Sequence, residues 1–255
     1  MNIVINLIAW RRPDYFKEVV RSLQQCEGIE RFPVNLFVDG GYPKEMESIV
    51  ATYRSSSLPE TGGSILKQER NIGCAGNAGV AFNTVFEGGC DALITLEDDT
   101  VPARDYLIFM EWALRRFQDD SDVFSITGFM PRFKGVFGDD QGLKNAYCRN
   151  RDFGCYGWGT WRRIYEEIRD QWFGADLEDL KDAGSLERIN RSDFKSWGFP
   201  MNYYWRKERL QVWPDVSRVQ NIGRDHGFSN AYPHVDYWSE NHPDPTTYHE
   251  FVLKP

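Results

Sequence analysis

Along the first half of the chain, short unbroken apolar runs alternate with stretches whose apolar residues recur every three or four positions. Asn2 to Ile8 reads as a buried strand, and Pro13 then opens a helix whose Phe16, Val19, Val20 and Leu23 share one face. Val34 to Val38 is a second strand, closed by the turn Asp39-Gly40-Gly41, which sets a carboxylate at a strand's C-terminal edge. A helix from Lys44 to Tyr53, a strand from Ile65 to Gln68 and a helix using Ala75, Ala78, Phe82, Val85 and Phe86 follow. Asp91 to Leu96 is a fourth strand and delivers Glu97-Asp98-Asp99; Pro102 is expected to start the next helix, with Tyr106, Met110, Ala113, Leu114 and Phe117 at helical spacing. Val123 to Thr127 is a further strand. Beyond about Gly135 the pattern loosens into glycine- and aromatic-rich stretches, with one helix expected from Thr160 to Asp170.

Strict alternation of strand and helix predicts an α/β fold, a mostly parallel sheet with helices on both faces. Ligands in such sheets bind beyond the carboxyl ends of the strands, where Asp39, Arg70, Asn71 and Glu97 to Asp99 all fall. With no repeat, low-complexity tract or linker, residues 1–255 read as one domain, with a regular half (1–130) and a loosely patterned half (131–255).

A formal net charge of −8 argues against a nucleic-acid polymer as partner, and against an anionic membrane surface as the main one. The apolar start, Asn2 to Trp10, is too short to span a bilayer and lacks the basic beginning of a signal peptide. A soluble, cytoplasmic protein without a transmembrane segment is expected, with peripheral attachment to the inner membrane face left open. Five cysteines with no C-x-x-C pair suit a reducing compartment. Aromatic residues make up 15% of the chain and crowd between Trp158 and Trp238; sugar stacking and core packing both account for them.

The chemistry concentrates in three places. Glu97-Asp98-Asp99 ends an apolar strand, and two like charges ~4 Å apart repel by about 4 kcal/mol at an effective dielectric of 20. A divalent cation, Mn²⁺ or Mg²⁺, would remove that cost and keep coordination positions for phosphate oxygens; a solvated acidic turn capping the helix after Pro102 is the plainer alternative. Arg70-Asn71-Ile72-Gly73 offers a cation, an amide and a glycine just before a helix N-terminus, suited either to a nucleotide or to simple helix capping. Arg11 and Arg12, after the first strand, belong to the same sheet edge.

Taken in order, Ala9-Trp-Arg-Arg-Pro-Asp-Tyr15, Val38-Asp-Gly40, Arg70-Asn-Ile-Gly73, Leu96-Glu-Asp-Asp-Thr100, Gly157-Trp-Gly-Thr-Trp161 and Pro214-Asp-Val-Ser-Arg218 resemble the inverting glycosyltransferases of the GT-A fold. The likeness is to the Golgi N-acetylglucosaminyltransferase family acting on mannosides and its bacterial relatives. It implies a nucleotide-sugar-binding half (1–130) and an acceptor-binding half (131–255), with Mn²⁺-dependent transfer from a UDP-sugar to a hydroxyl of a glycan or glycolipid. Asp39 would contact the base or ribose, Arg11 or Arg12 and Arg70 with Asn71 would help hold the nucleotide, and Asp99 would ligate the metal with Glu97 and Asp98 in support. Trp158 and Gly159 would wall the transferred sugar. His226, in a late loop, is a candidate metal ligand or phosphate donor, or else a loop hydrogen-bonder. One departure concerns the catalytic base: Trp197-Gly198 stands where bacterial relatives carry a Trp-Asp pair, which leaves Asp193 as the nearest carboxylate, with Glu178, Asp179 and Asp182 as alternates. Two rivals follow, a nucleotide- or glycan-binding protein on a transferase-like fold that has lost its base, and a sugar nucleotidyltransferase, although Trp10-Arg-Arg-Pro13 lacks the glycine-rich loop the latter needs.

Overall fold

A computed structural model describes residues 1–59, 65–130, 145–151, 153–174, 208–223 and 250–253. The first strand, β1 (Ile3–Ala9), is buried along its whole length, as an unbroken apolar run requires of a strand covered on both faces. It is followed by α1 (Pro13–Leu23), β2 (Val34–Val38), α2 (Pro43–Arg54), β3 (Ile65–Lys67), α3 (Gly73–Glu87) and β4 (Ala92–Glu97). The stripe expected of α1, Phe16, Val19, Val20 and Leu23, is the face it buries. β1 pairs in parallel with β2 on one side and β4 on the other, and β3 extends the sheet beyond β2. The chain therefore builds outward from β1 through β2 and β3, then returns across it to β4. With right-handed crossovers this reversal puts α1 and α2 on one face and α3 on the other. It also opens a crevice between the C-terminal ends of β1 and β4, where the strand order reverses.

The expected α/β architecture holds, with a mostly parallel sheet that draws strands from both halves of the chain. After β4 come β5 (Thr100–Pro102), α4 (Tyr106–Arg116), β6 (Val123–Thr127), β7 (Ala146–Asn150), β8 (Trp158–Trp161), α5 (Arg162–Gly174), β9 (Leu210–Pro214), β10 (Val219–Asn221) and β11 (Val252–Leu253). Nine strands form one sheet in the order β11-β7-β9-β6-β8-β4-β1-β2-β3. Buried Gln211 on β9 is tolerated because its amide is fully engaged, donating to Ser125 Oγ (2.8 Å) and accepting from the Gly154 N–H (2.6 Å).

Two boundaries differ from the sequence expectation. Pro102 does not start a helix: it ends β5, which pairs antiparallel with β10, and α4 begins at Tyr106. The acidic triplet therefore does not cap that helix. Thr160 and Trp161 belong to β8 rather than to a helix, which starts only at Arg162; β8 slots between β4 and β6, antiparallel to both. Among the described residues no helix is long and apolar enough to cross a membrane.

Candidate functional site

The β1–β4 register pairs Ile8 with Glu97, so the residues just after each strand meet in the crevice. There the Trp10 N–H donates to Asp98 Oδ2 (2.8 Å), and Arg12 forks across the two aspartates. Its Nη2 donates to Asp98 Oδ1 and its Nη1 pairs with Asp99 Oδ2 at 2.7 Å. Asp98 and Asp99 are both buried, yet among the described residues Asp99 Oδ1 has no hydrogen-bond partner.

The β5–β10 ribbon roofs this cluster. Asn221 pairs with Thr100, the Ile222 N–H donates to the Asp99 carbonyl (2.8 Å), and the Gly223 N–H donates to Asn221 Oδ1 (2.8 Å). Gly223 lies so close over the carboxylate that a Cβ there would overlap Asp99 Oδ2 and come within 3.0 Å of Arg12 Nη1. Only glycine leaves the ion pair undisturbed.

The electrostatics follow. Burial alone disfavours the charge on Arg12, but the fields of Asp98, Asp99 and Glu97, with the Asp98 hydrogen bond, more than offset it and push its pKa up. Burial raises the Asp98 carboxyl, and Arg12 pulls the other way. The repulsion expected among three adjacent acids is thus already relieved by a resident cation. Sequence inspection does not show this, because Arg12 lies far from the triplet along the chain.

Asp39 also sits at the sheet edge, at the end of β2, and is buried. Its Oδ1 accepts from the Gly40 and Ile72 N–H groups (both 2.8 Å), and its Oδ2 from the Gly73 N–H (3.0 Å). Asp39 therefore ties the Arg70–Gly73 loop to β2 and caps α3 from a neighbouring strand, satisfying amides that a helix start leaves open. Asn71 adds a local bond, its Oδ1 accepting from the same Gly73 N–H (2.8 Å), an Asx turn at the residue before the N-cap Ile72. Arg70 and Asn71 are exposed on this loop.

Arg11 turns away from Arg12. Its guanidinium lies against the rings of both Trp10 (4.8 Å) and Tyr42 (4.7 Å), which themselves meet edge to face (5.6 Å), and donates to Tyr42 Oη (3.0 Å), while Trp10 Nε1 donates to the Gly40 carbonyl (3.2 Å). Its backbone is held at φ 45°, a left-handed value that non-glycine residues seldom adopt, and the two adjacent arginines take different partners. The structure thus brings together Arg11, Arg12, Asp39, Arg70, Asn71, Glu97, Asp98 and Asp99 at one sheet edge. Trp10, Tyr42, Asn221 and Gly223 join them; Trp10 belongs to the Ala9–Tyr15 motif, and Asn221-Ile-Gly223-Arg224 follows Pro214-Asp-Val-Ser-Arg218, but the sequence assigned none of the four a role.

Trp158 and Gly159 lie within the sheet, on β8. Trp158 pairs with Thr95 and Thr127 and packs on Phe82 (5.5 Å) and Phe153 (5.0 Å). Gly159 pairs with Ile94 and Ile126, where a Cβ would come within 2.8 Å of the Leu93 carbonyl oxygen. Trp161 is also core, its Nε1 donating to the Leu114 carbonyl (3.0 Å). Asp193, Glu178, Asp179, Asp182, Gly198 and His226 lie outside the described residues.

Among the described residues, no group of three or more His, Cys, Asp or Glu side chains is arranged to hold a metal by itself. Asp99 Oδ1 is buried and unpartnered, and hard cations such as Mg²⁺ and Mn²⁺ are commonly held by one or two carboxylates plus substrate phosphates and water.

No family model matches the chain. Among solved structures it superposes on residues 1–349 of TarS from S. aureus with a TM-score of 0.53 at 12% identity, over 86% of this chain and 60% of that one. The two share a fold. Weaker superpositions are found with the mannosyltransferase PcManGT of Pyrobaculum calidifontis, solved with GDP-Man and Mn²⁺ (TM-score 0.45, 13% identity, 66% of this chain and 46% of that one), and with a protein from Desulfovibrio desulfuricans G20 described as a nucleotide-diphospho-sugar transferase (0.47, 13%, 93% of each). The chain thus spans about half the length of the Pyrobaculum protein and under two thirds of the TarS fragment.

Proposed function

We propose that this chain is a metal-dependent glycosyltransferase that moves a sugar from a UDP-sugar to a hydroxyl of a glycan or glycolipid, with inversion. The observation that carries the reading is the cluster in the β1–β4 crevice, where Asp99 presents a buried, unpartnered carboxylate oxygen beside the arginines and Asp39 at the carboxyl edge of the sheet. The ordered motifs of the sequence, which resemble the inverting GT-A enzymes, supply the donor class and the stereochemistry. In this reading residues 1–130 bind the donor and residues 131–255 the acceptor.

Asp99 holds Mn²⁺ or Mg²⁺, with Glu97 and Asp98 supporting it and His226 as a further candidate ligand. The metal's contribution is to neutralise charge on the departing diphosphate. Arg12 keeps Asp98 and Asp99 in place, and Asp39 fixes the Arg70–Gly73 loop so that Arg70 and Asn71 face the nucleotide. Arg11, stacked on Trp10 and Tyr42, adds a cation and an aromatic surface for it. Asp193 is proposed to take the proton from the attacking acceptor hydroxyl, with Glu178, Asp179 and Asp182 as alternates.

The test is turnover: release of UDP from a panel of UDP-sugars, with GDP-sugars as the comparison set, in the presence of Mn²⁺. Asp193→Asn is expected to lower turnover by about 10²–10⁴ and to leave donor affinity intact. Donor binding without turnover in the parent, across the panel and with acceptor glycans supplied, would favour the binding-only rival.

A further inference from the structure

Arg12 performs the neutralisation that a divalent cation would otherwise supply. Its Nη1 holds Asp99 Oδ2 and its Nη2 holds Asp98 Oδ1, while the Trp10 N–H takes Asp98 Oδ2. Three of the four carboxylate oxygens of Asp98 and Asp99 are therefore engaged, and only Asp99 Oδ1 is left unpartnered in a buried position. Gly223, just after the β5–β10 ribbon, lies over the Arg12–Asp99 contact, where a Cβ would meet both Asp99 Oδ2 and Arg12 Nη1.

We infer that Arg12 is a fixed counter-cation that sets the affinity of the site for a divalent metal: it stays in place when the ion binds, confines the ion to Asp99 Oδ1, and weakens binding of the bare ion. This rests on the proposal that Asp99 is the metal ligand. The physical reason is that a unit positive charge close to a divalent ion opposes its binding, and the fork also withholds the second oxygen of Asp99. An anionic diphosphate arriving with the ion meets the opposite effect, since the same guanidinium attracts it. Arg12 thus tilts the site away from free metal ions and toward a metal already paired with a phosphate-bearing ligand. A site of three uncompensated carboxylates would lack that discrimination.

The experiment measures Mn²⁺ affinity directly, by calorimetry and by the loss of the free-ion paramagnetic resonance signal, without nucleotide. The proteins are the parent, Arg12→Gln, Arg12→Lys and Asp99→Asn. Arg12→Gln should bind Mn²⁺ at least about tenfold more tightly, the effect of a unit charge ~5 Å from a divalent ion even at the dielectric of bulk water. Its binding of Mn²⁺–UDP should gain less than its binding of Mn²⁺ alone, and Arg12→Lys, which keeps the charge, should stay within about threefold of the parent. Equal or weaker Mn²⁺ binding by folded Arg12→Gln overturns the inference.

Should Arg12→Gln unfold in EDTA, millimolar Mn²⁺ must restore its circular dichroism, because the ion replaces the missing cation; a variant that stays unfolded with Mn²⁺ counts against the inference. Asp99→Asn separates this from the underlying reading. If it binds Mn²⁺ as the parent does, the metal has been assigned to the wrong residue. If Asp99→Asn abolishes binding and Arg12→Gln fails to strengthen it, the metal site stands and the role of Arg12 falls.

Discussion

Replacing Asp39 with Ala removes one carboxylate and three hydrogen bonds at once, those from the N–H groups of Gly40, Ile72 and Gly73. A hydrogen bond to a charged acceptor contributes about 1.5–3 kcal/mol, so three fully buried ones would exceed any reasonable total for one substitution. The Ile72 and Gly73 amides are only partly buried, however, and water can replace much of what they lose. Adding the lost favourable charge at the start of α3, about 0.3–1 kcal/mol, the expected destabilisation is about 2–4 kcal/mol. For a chain of this size that lowers Tm by roughly 5–15 °C. Asp39→Asn keeps the oxygen that serves Gly40 and Ile72 but turns an amide group toward the Gly73 N–H, and should lose about half as much. Urea and thermal unfolding give the stabilities, and hydrogen exchange at Ile72 and Gly73 should accelerate selectively in the Ala variant. An Asp39→Ala protein with parental stability and unchanged protection at those two amides would refute this account of the residue. UDP calorimetry on Asp39→Asn then isolates direct contact, since affinity lost beyond the loss of stability belongs to the base or ribose.

Three further outcomes are expected. Arg218 is 1% exposed, donates from Nε to Asp105 Oδ2 (3.1 Å) and lies against the rings of Phe109 and Phe251. Arg218→Met should cost about 3–5 kcal/mol at neutral pH by stranding the buried carboxylate of Asp105. Burial already raises the pKa of Asp105 against the pull of Arg218, and without Arg218 it rises further. The folded variant then holds a proton that the unfolded chain releases, so its stability falls as pH rises through that window, and its Tm deficit should be smaller at pH 5 than at pH 8. Gly223→Ala should lower Mn²⁺ affinity and turnover by an order of magnitude or more and destabilise by about 1–3 kcal/mol, because its Cβ displaces the buried Asp99 carboxylate from its place beside Arg12; calorimetry and urea titration separate the two effects. Gly159→Val should do the reverse, destabilising by about 2–4 kcal/mol through overpacking against β4 and α4 while the folded fraction keeps its metal affinity.

The regular half of the fold was legible because its apolar runs are long and their periods distinct. β1 is buried throughout, and the stripe of α1 appears in the sequence as it does in the core. Legibility failed where an element is short or owes its place to a distant partner. β5 has three residues and exists because β10, more than a hundred positions later, pairs with it. The apolar residues of β8 serve equally well for a helix, and the antiparallel slot between β4 and β6 decides the matter. The site divides in the same way. That Asp39 and the acidic triplet share an edge follows from the strand pattern. That Asp39 caps α3 and that Arg12 relieves the triplet depends on contacts between residues more than thirty positions apart. Three adjacent acids read as unrelieved repulsion only while their counter-ion is out of sight.

The measurement that bears most directly on the proposed function is the shift in Tm produced by UDP with and without Mn²⁺, in the parent and in Asp99→Ala. Ligand that binds only the folded state raises Tm by mass action, about 2.7 kcal/mol of stabilisation at a hundredfold excess over Kd. The account predicts that UDP and Mn²⁺ together stabilise the parent well beyond the sum of their separate effects, that EDTA removes the excess, and that Asp99→Ala, still folded, lacks it. A joint shift that survives unchanged in Asp99→Ala, or a parent indifferent to Mn²⁺ in the presence of UDP, would contradict it.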